Sequence, residues 1–358
     1  MEQKAQYADD LADYLIDEDM PILEALARLD HCARKVLYVV RDGQLVASLT
    51  DGDVRRHILR QGDLKAAVRE AAHYQPRSLP LSQRGQALAF MKRESLEGVP
   101  LLDEDGHIAD VITWKDITGH QRQHRRISNP VVMMAGGKGT RLYPYTKILP
   151  KPLIPIGEIP ISEHIINRFH QAGSQDFYLI VNYKKNMLKA YYNELDKEYN
   201  VYFVDEEKPL GTGGGLSLLK GKLHETFFLT NCDILIQEDY ERIYRFHKEN
   251  RNKITMVCSL KNFQIPYGVI KLGEDGQIAS MTEKPHVPFL TNTGCYVVEP
   301  DVLDSLPADT AFGFPDVVQK YQDAGENVGV FPIGENAWLD MGVPEEMERM
   351  KERLGIKA

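Results

Sequence analysis

The sequence predicts an α/β chain, in which a mostly parallel sheet covered by helices follows a smaller α+β unit. Three observations lead to this prediction. From Pro130 onward, short apolar runs alternate with longer amphipathic stretches, which favours parallel strands joined by helices. The first 119 residues instead contain an internal repeat. A length of 358 residues fits two or three domains better than one core. We therefore expect domains over 1–119 and 130–358, joined by a linker over 120–129.

The N-terminal repeat is a hairpin that runs into a helix. Asp42-Gly43, Thr50 and Asp53 recur as Asp105-Gly106, Thr113 and Asp116, in each case 63 positions further along. An Asp-Gly pair between apolar runs indicates a two-stranded turn. Thr is a favoured helix N-cap, and an acid three residues later completes a capping box. The predicted strands are Val36 to Val40, Leu45 to Leu49, Val99 to Leu102 and Ile108 to Ile112.

This repeat resembles the CBS motif, and its two copies resemble a CBS pair. In that family the Thr hydroxyl and the Asp carboxylate hold an adenine nucleotide. The resemblance therefore implies AMP, ADP or ATP at Thr50, Asp53, Thr113 and Asp116. Two helix caps explain the same residues equally well. CBS pairs commonly associate, so the resemblance also implies a homodimer or higher homo-oligomer.

Composition narrows the possible partners and compartment. The formal net charge of −9 disfavours a broad nucleic-acid surface. No apolar run approaches the roughly 18 residues of a membrane span, and the N-terminus lacks an apolar signal core. We expect a cytoplasmic protein that does not bind membranes. Its four cysteines lack metal-site spacing and are expected to be reduced and mostly buried: Cys32, Cys232, Cys258 and Cys295. The Arg-rich stretch before Pro130 is expected to be a solvated linker.

The larger domain is predicted to contain six strands and at least four helices. The strand candidates are Val131 to Met134, Phe177 to Val181, Val201 to Val204, Phe227 to Thr230, Ile254 to Leu260 and Cys295 to Val298. The helix candidates are Ser162 to Gln171, Asn186 to Glu198, Gly213 to Leu219 and Glu238 to Glu249. Ser162 followed by Glu163 is typical of a helix start. In such sheets, ligands bind at the carboxyl ends of the strands.

A glycine-rich loop follows the first of these strands. Its glycines, Gly136, Gly137 and Gly139, would let backbone N–H groups approach a phosphate. Two cations, Arg141 and Lys151, follow on a proline-containing path. The string AGGKGTRLYPYTKILPKPLIPIG resembles the opening motif of the sugar-1-phosphate nucleotidyltransferases. That family implies a Rossmann-like, GT-A-like sheet. The residues implied to bind nucleotide here are Ala135, Gly136, Gly137, Gly139 and Thr140.

Five later motifs extend this resemblance. The turn Pro209 to Leu216 resembles a second glycine-rich turn beside the nucleobase and adds Gly211, Thr212 and Gly213 as nucleotide-binding residues. Asn231-Cys232-Asp233 and the Trp338 to Gly342 segment resemble the steps that supply two metal carboxylates, Asp233 and Asp340. Glu283-Lys284-Pro285 resembles the sugar and phosphate clamp of the family, and Asn292-Thr293-Gly294 resembles its sugar-recognition strand. The sugar-binding residues that the resemblance implies are Gly268, Glu283, Asn292 and Thr293, with Lys284 in the clamp.

The implied reaction joins two anions: a sugar 1-phosphate attacks the α-phosphorus of a nucleoside triphosphate. Electrostatic repulsion and positioning are then the main barriers. Mg²⁺ suits such a site because it prefers oxygen ligands and substrate phosphates. The implied catalytic residues are Arg141, Lys151, Asp233, Lys284 and Asp340.

The motifs look most like those of mannose-1-phosphate guanylyltransferases. With the CBS pair in front, the chain is similar to the enzymes that form GDP-glucosamine for legionaminic acid. GTP and a hexose or hexosamine 1-phosphate are the expected substrates. Alternatives are a thymidylyl- or uridylyltransferase of the same family and a non-catalytic adenylate-sensing regulatory protein. A glycosyltransferase is disfavoured because the Asp-x-Asp step is absent at Asn231-Cys232-Asp233.

Overall fold

The computed structural model describes residues 11–31, 36–94, 96–113 and 127–356. The chain divides into two compact units, Met1–Gln123 and His124–Ala358. Asp116 and Cys32 lie outside the described residues, as does most of the predicted linker. Within the described residues, no helix is both long enough and apolar enough to cross a membrane.

The first unit contains two small sheets and three helices in its described part. One sheet has the strand order β1-β2-β3-β4 and the other β5-β6-β7. The strands are β1 (Leu15–Asp17), β2 (Val36–Arg41), β3 (Gln44–Thr50), β4 (His73–Tyr74), β5 (Leu79–Pro80), β6 (Gly98–Leu102) and β7 (Ile108–Thr113). The helices are α1 (Ile22–His31), α2 (Asp51–Leu59) and α3 (Ala87–Glu94).

The two predicted Asp-Gly hairpins are confirmed. β2 pairs antiparallel with β3 and β6 with β7. Asp42 and Gly43 both have positive φ, at 52° and 80°, as a tight hairpin turn requires. The capping box at the start of α2 is also confirmed, with Thr50 Oγ1 accepting from Asp53 N–H at 3.2 Å and Asp53 Oδ2 accepting from Thr50 N–H at 2.8 Å.

The second unit is built on a seven-stranded sheet. Its strands are β8 (Val131–Met134), β11 (Asp176–Val181), β12 (Asn200–Asp205), β13 (Phe227–Asn231), β15 (Ile254–Gln264), β18 (His286–Val298) and β19 (Val328–Ile333). Their order is β12-β11-β8-β13-β18-β15-β19. Only β18 runs antiparallel to both of its neighbours, so the described sheet is mostly parallel, as predicted.

Short strand pairs and helices surround this sheet. The pairs are β9 (Pro155–Ile156) with β10 (Ile159–Pro160), β14 (Ile234–Ile236) with β20 (Trp338–Asp340), and β16 (Val269–Leu272) with β17 (Ile278–Thr282). The helices are α4 (Ile161–Ala172), α5 (Lys185–Glu194), α6 (Gly211–Gly214), α7 (Tyr240–Glu249), α8 (Asp301–Asp304), α9 (Phe314–Asp323) and α10 (Pro344–Arg353).

Both faces of the sheet are buried because side chains alternate along each strand. Val131 and Met133 of β8 belong to one core, together with Phe169 of α4 and Ile243 of α7. Val132, between them in sequence, belongs to a second core that contains residues of α8 and α9. A sheet covered on both faces leaves its strand ends as the accessible region for ligands.

The helix predicted over Ser162 to Gln171 is confirmed as α4, which is one residue longer at each end, and its Ser162 hydroxyl is buried and accepts from Tyr192 Oη at 2.8 Å. Two other helix predictions need correction. α5 ends at Glu194 instead of Glu198, since Leu195 has extended backbone angles. The helix predicted over Gly213 to Leu219 is the short α6 followed by a 3₁₀ turn, Gly215–Leu219.

The last residues of the predicted linker are not solvated. Ile127 is buried and its N–H donates to Ala172 O at 2.9 Å. Asn129 is buried as well, and its side chain donates to Thr226 O at 2.8 Å. The second unit therefore begins a few residues before Pro130. The three described cysteines, Cys232, Cys258 and Cys295, are free and buried, as predicted.

Candidate active site

The candidate site lies at the carboxyl ends of the parallel strands. β8 runs into the first glycine-rich loop, and β13 ends at Asn231, two residues before Asp233. The antiparallel β18 pairs with β13 only as far as Thr230↔Cys295. Thr293 and Gly294 therefore lie beyond the end of that pairing, beside Asn231. One edge of the sheet thus collects residues from three distant stretches of the chain.

A lysine and two acids lie at the centre of the site. Lys151 Nζ donates to Asp233 Oδ2, and both side chains are largely buried. The short strands β14 and β20 place Asp340 opposite Ile234, and Met341 N–H donates to Asp233 O at 2.8 Å. The antiparallel pair thereby brings together two carboxylates that are 107 positions apart in the sequence.

The electrostatics of this cluster reflect burial and like charge. Burial raises the pKa of the Asp340 carboxyl above its ordinary value, and the nearby Asp233 charge raises it further. Lys151, the Gly342 N–H and Arg141 act in the opposite direction. Burial also raises the pKa of the adjacent Cys232 thiol to about 12, so this cysteine is an unreactive thiol.

An open cavity of about 260 Å³ adjoins the two acids. Polar and aromatic side chains from several loops contribute to its wall. The residues that line it are Met134, Arg141, Thr212, Leu229, Asn231, Asp233, Ile234, Asn292, Thr293, Gly294, Tyr296, Phe314, Pro315, Trp338 and Asp340. The cavity thus contains predicted residues of the nucleotide, metal and sugar groups.

The first glycine-rich loop has a defined steric role. Gly139 adopts a φ of 63°, and a Cβ there would lie 2.9 Å from Thr146 Cγ2 and 3.0 Å from Lys151 Cβ. Thr146 Oγ1 donates to Gly139 O at 3.0 Å. The absence of a side chain at Gly139 therefore allows the loop to close against the stem of Lys151.

The second glycine-rich turn packs tightly against the segment before α9. Gly213 N–H donates to Phe312 O at 3.0 Å, and a Cβ at Gly213 would lie 2.5 Å from Phe312 Cδ2. Thr212 Oγ1 accepts from Phe314 N–H at 3.0 Å. The close approach of the Phe312 ring and of Gly313 O, 2.7 Å from the same Cβ, thus requires glycine at position 213. Gly211 also has a positive φ, at 73°.

The predicted sugar-binding residues Asn292 and Thr293 lie on β18, and β20 contributes to the same part of the cavity wall. Asn292 Nδ2 donates to Tyr296 Oη at 2.6 Å, and Asn292 Oδ1 accepts from Gly294 N–H at 3.0 Å. Thr293 is buried and donates to Val257 O at 2.7 Å. Trp338 and Asp340 are two residues apart on β20, so both side chains face the cavity.

Several predicted residues do not line this cavity: Ala135, Gly136, Gly137, Gly139, Thr140, Lys151, Gly211 and Gly213. Three more lie on a separate hairpin. Gly268, Glu283 and Lys284 are exposed and flank the β16–β17 hairpin. A Cβ at Gly268 would lie 2.9 Å from Glu283 Oε2, so these two are neighbours. In the described structure they form a group separate from Asp233 and Asp340.

Glu206 is a further polar residue beside the two glycine-rich segments and is absent from the predicted set. This residue directly follows β12, is 5% exposed, and its Oε1 accepts from Leu210 N–H at 3.0 Å. Its Oε2 faces Gly136, where a Cβ would lie 2.9 Å away, and its Oε1 would lie 3.1 Å from a Cβ at Gly215. Burial raises the pKa of the Glu206 carboxyl, whereas the Leu210 N–H lowers it. An acid just after a strand, five residues before Gly211, was the available sequence indication.

Comparison with known families identifies the family of the second unit. The sequence model of the nucleotidyl transferase family matches residues 130–355, which is more than half of the chain. This chain belongs to the nucleotidyl transferase family. A CBS domain model matches residues 12–60 and thus covers the first copy of the repeat.

Curated relatives of this nucleotidyl transferase match over its second unit. It is 31% identical over 223 residues to a mannose-1-phosphate guanylyltransferase of Mycobacterium tuberculosis, covering 61% of this chain and 62% of the relative. It is 33% identical over 229 residues to a mannose-1-phosphate guanyltransferase of Schizosaccharomyces pombe, covering 60% and 61%. The chain thus spans about three fifths of the length of these relatives.

Solved structures share the fold of this nucleotidyl transferase. HddC from Yersinia pseudotuberculosis aligns with a TM-score of 0.51 at 23% identity, over 63% of this chain and 99% of its own. The inositol-1-phosphate CTP transferase of T. maritima aligns with a TM-score of 0.51 at 20% identity, over 65% and 97%.

The donor set of this nucleotidyl transferase fits a hard divalent cation. Asp233 directly precedes β14 and Asp340 ends the paired strand β20, so both offer carboxylate oxygens to the same place. Burial and then the like charge of Asp233 raise the pKa of Asp340. Two neighbouring carboxylates with a single lysine partner favour an additional positive charge between them. The residues present therefore suit Mg²⁺.

Proposed function

We propose that this chain is a sugar-1-phosphate guanylyltransferase. A phosphate oxygen of the sugar 1-phosphate attacks the α-phosphorus of GTP and forms a new phosphorus–oxygen bond. The bond between the α-phosphorus and the bridging oxygen breaks, and that oxygen leaves with the electron pair as part of pyrophosphate. The observation that carries this proposal is the Lys151–Asp233–Asp340 cluster beside the glycine-rich loop.

Each cation in the site has a role that this chemistry requires. Arg141 lines the cavity, and its guanidinium can hold two phosphate oxygens at once. The loop from Ala135 through Gly136, Gly137 and Gly139 to Thr140 offers backbone N–H groups to the triphosphate. Lys151 neutralises charge that develops in the transition state and orients Asp233. A phosphate monoester is ionised at neutral pH, so the reaction needs no general base.

Asp233 and Asp340 would hold Mg²⁺. When bound, the ion would supply positive charge to the α-phosphate and to the attacking oxygen. The two carboxylates are preorganised for this role by the β14–β20 pairing.

Glu206 supports GTP over the other nucleotides. An ionised carboxylate only accepts hydrogen bonds, and guanine presents two adjacent donors, N1–H and the N2 amino group. Uracil and thymine present one donor between two carbonyl acceptors. The carboxylate lies beside Gly136 and Gly215, on the β12 side of the sheet and away from the predicted sugar residues of β18. Gly211, Thr212 and Gly213 form the turn that follows it.

The acceptor is proposed to be a hexose or hexosamine 1-phosphate. The curated relatives named as mannose-1-phosphate guanylyltransferases favour this class. Asn292 and Thr293 line the cavity next to Trp338, which supplies an aromatic wall. We also propose that the hairpin supplies contacts to the sugar phosphate through Glu283, Lys284 and Gly268. The hairpin would have to approach the cavity for these residues to act.

The CBS region is proposed to bind AMP, ADP or ATP. In its first copy, Asp53 Oδ2 is already engaged in the capping box and Oδ1 pairs with Arg56. A nucleotide at Thr50 and Asp53 would therefore have to displace Arg56. Thr113 ends β7, and Asp116 lies beyond the described residues. Calorimetric titration with each nucleotide tests this; no heat of binding would leave the caps as their full explanation.

The proposed activity is tested by measuring pyrophosphate release. The full chain with Mg²⁺ is incubated with GTP, UTP, dTTP or CTP and with mannose, glucose or glucosamine 1-phosphate. We expect GTP to be the preferred donor and Asp233→Asn to reduce turnover by at least about 100-fold, equivalent to roughly 3 kcal/mol. The matched control, Asp304→Asn, changes an exposed acid outside the cavity and should keep wild-type turnover. Absence of pyrophosphate release with every pair would contradict the proposal.

A second variant tests the base assignment separately. Glu206→Gln keeps the acceptor that Leu210 N–H requires but replaces the other oxygen with a donor. We expect kcat/KM for GTP to fall about 10- to 100-fold, equivalent to about 1.4–2.7 kcal/mol, while the value for UTP rises or stays constant. An equal loss with all nucleotides would indicate a structural role for Glu206 instead.

A further inference from the structure

An apolar surface extends along the strands that project from the central sheet. Beyond Ser259, residues Leu260 to Gln264 of β15 pair only with β18 among the described strands, and the β16–β17 hairpin follows. We call residues 260–290 the ribbon. Nine of the seventeen strongly exposed large apolar side chains that the structure describes lie in this segment. They are Phe263, Tyr267, Ile270, Leu272, Ile278, Met281, Val287, Phe289 and Leu290.

The strand register gathers four of these side chains on one face. Ile270 is opposite Met281, and Leu272 is opposite Ile278. Paired residues share a face, and so do residues two apart on one strand. These four residues form what we call the hairpin face, and each is between 50% and 75% exposed. The largest apolar patch on a soluble protein, typically about 300–600 Å², is often an interaction site.

We propose that the hairpin face binds the same face of a second copy of this chain. A two-fold axis lets one patch meet itself, so apolar residues face apolar residues without a separate partner surface. The hairpin is a two-stranded sheet in the described structure, so both of its edges have free backbone groups. Such edges readily pair with another strand.

The size and charge of the exposed apolar surface agree with binding of a second copy of the chain. A large apolar side chain exposes on the order of 200 Å². The exposed fractions then correspond to about 500 Å² for the hairpin face and about 1,000 Å² for all nine residues. A standard interface buries about 800 Å² per partner. The segment Phe263–Leu290 contains two lysines and three acids, so two copies meet with little net repulsion, and an anionic membrane is a poor match.

Analytical ultracentrifugation of the full chain over a range of concentrations tests the proposal. The test variant is Leu272→Glu combined with Ile278→Glu, which introduces charge at two exposed positions. The control is Ile148→Glu, since Ile148 is 74% exposed and Leu272 is 75% exposed. We expect the wild type and the control to form at least a dimer of 81.4 kDa, twice the chain mass of 40.7 kDa. The double variant should have half the wild-type mass and an unchanged circular dichroism spectrum.

Two results of the ultracentrifugation would overturn this inference. One is a wild-type mass of 40.7 kDa at all concentrations, and the other is a folded double variant that keeps the wild-type mass. The second result would place the self-association elsewhere, for example in the CBS region. Hydrogen exchange of the unmodified protein gives a check without substitution. Exchange in residues 263–290 should slow as concentration rises, and exchange independent of concentration would also overturn the proposal.

Discussion

The Lys151→Met variant removes the ammonium group of the site and keeps most of its carbon stem. Lys151 and Asp233 form an ion pair whose side chains are 14% and 10% exposed. Removing one partner of a buried pair typically costs about 3–5 kcal/mol, because the remaining charge is left without compensation. Here the remaining charge, Asp233, also faces Asp340. At about 2–4 °C per kcal/mol for a unit of this size, we expect unfolding to begin on the order of 10 °C lower.

Differential scanning calorimetry of the full chain in a chelating buffer measures this shift. Adding Mg²⁺ should recover part of it, since a cation between the carboxylates would replace the lost charge. Lys253→Met is the matched control: Lys253 pairs with Asp301, but these side chains are 34% and 54% exposed. An exposed pair contributes about 0.2–1 kcal/mol, so the control should shift unfolding by no more than a few degrees. A Lys151→Met transition within about 2 °C of wild type would refute the reasoning.

Two further predictions concern the loop and a buried histidine. Gly139→Ala places a Cβ 3.0 Å from Lys151 Cβ at a φ of 63°, so we expect turnover to fall at least about 10-fold. The control is Gly221→Ala, because Gly221 has a similar φ of 69° but open space around the added Cβ. Equal losses of turnover in both variants would show that contact with Lys151 is irrelevant. Burial lowers the pKa of His247, which is held by Thr255 and Glu299, below its ordinary 6.5. The contribution of neutral His247 to stability is therefore complete above about pH 6.5 and is lost as the pH falls through the lowered pKa. We expect His247→Gln to reduce the change in the denaturant midpoint between about pH 7 and pH 5. A midpoint that changes with pH as much as in the wild type would contradict this.

Much of the fold could be predicted because its strands are short apolar runs with clear ends. All six predicted strands of the larger unit are present, and β8 has the predicted bounds, Val131–Met134. β19 was missed: Val328–Ile333 contains Gly329 and Pro332, which weaken a strand pattern, and its pairing with β15 is a tertiary interaction. The ribbon was also missed, since its strands are exposed and lack a buried run. Local patterns predict buried elements better than projecting ones.

The candidate site shows where sequence reasoning stops. The resemblance named both Asp233 and Asp340, but only the β14–β20 pairing shows how residues 107 positions apart meet. Glu206 escaped because an isolated acid after a strand looks like any surface acid until Gly136 and Gly215 are seen to approach it. The sheet order separates the residues proposed for the base from those proposed for the sugar. β12, β11 and β8 lie on one side of β13, and β18 and β15 lie on the other. The residues that we propose for the base and for the sugar therefore lie on or follow strands on opposite sides of β13, and Asp233 follows β13 itself. This placement would hold two anions in position for reaction beside the proposed metal carboxylate, and such positioning supplies a large part of catalysis.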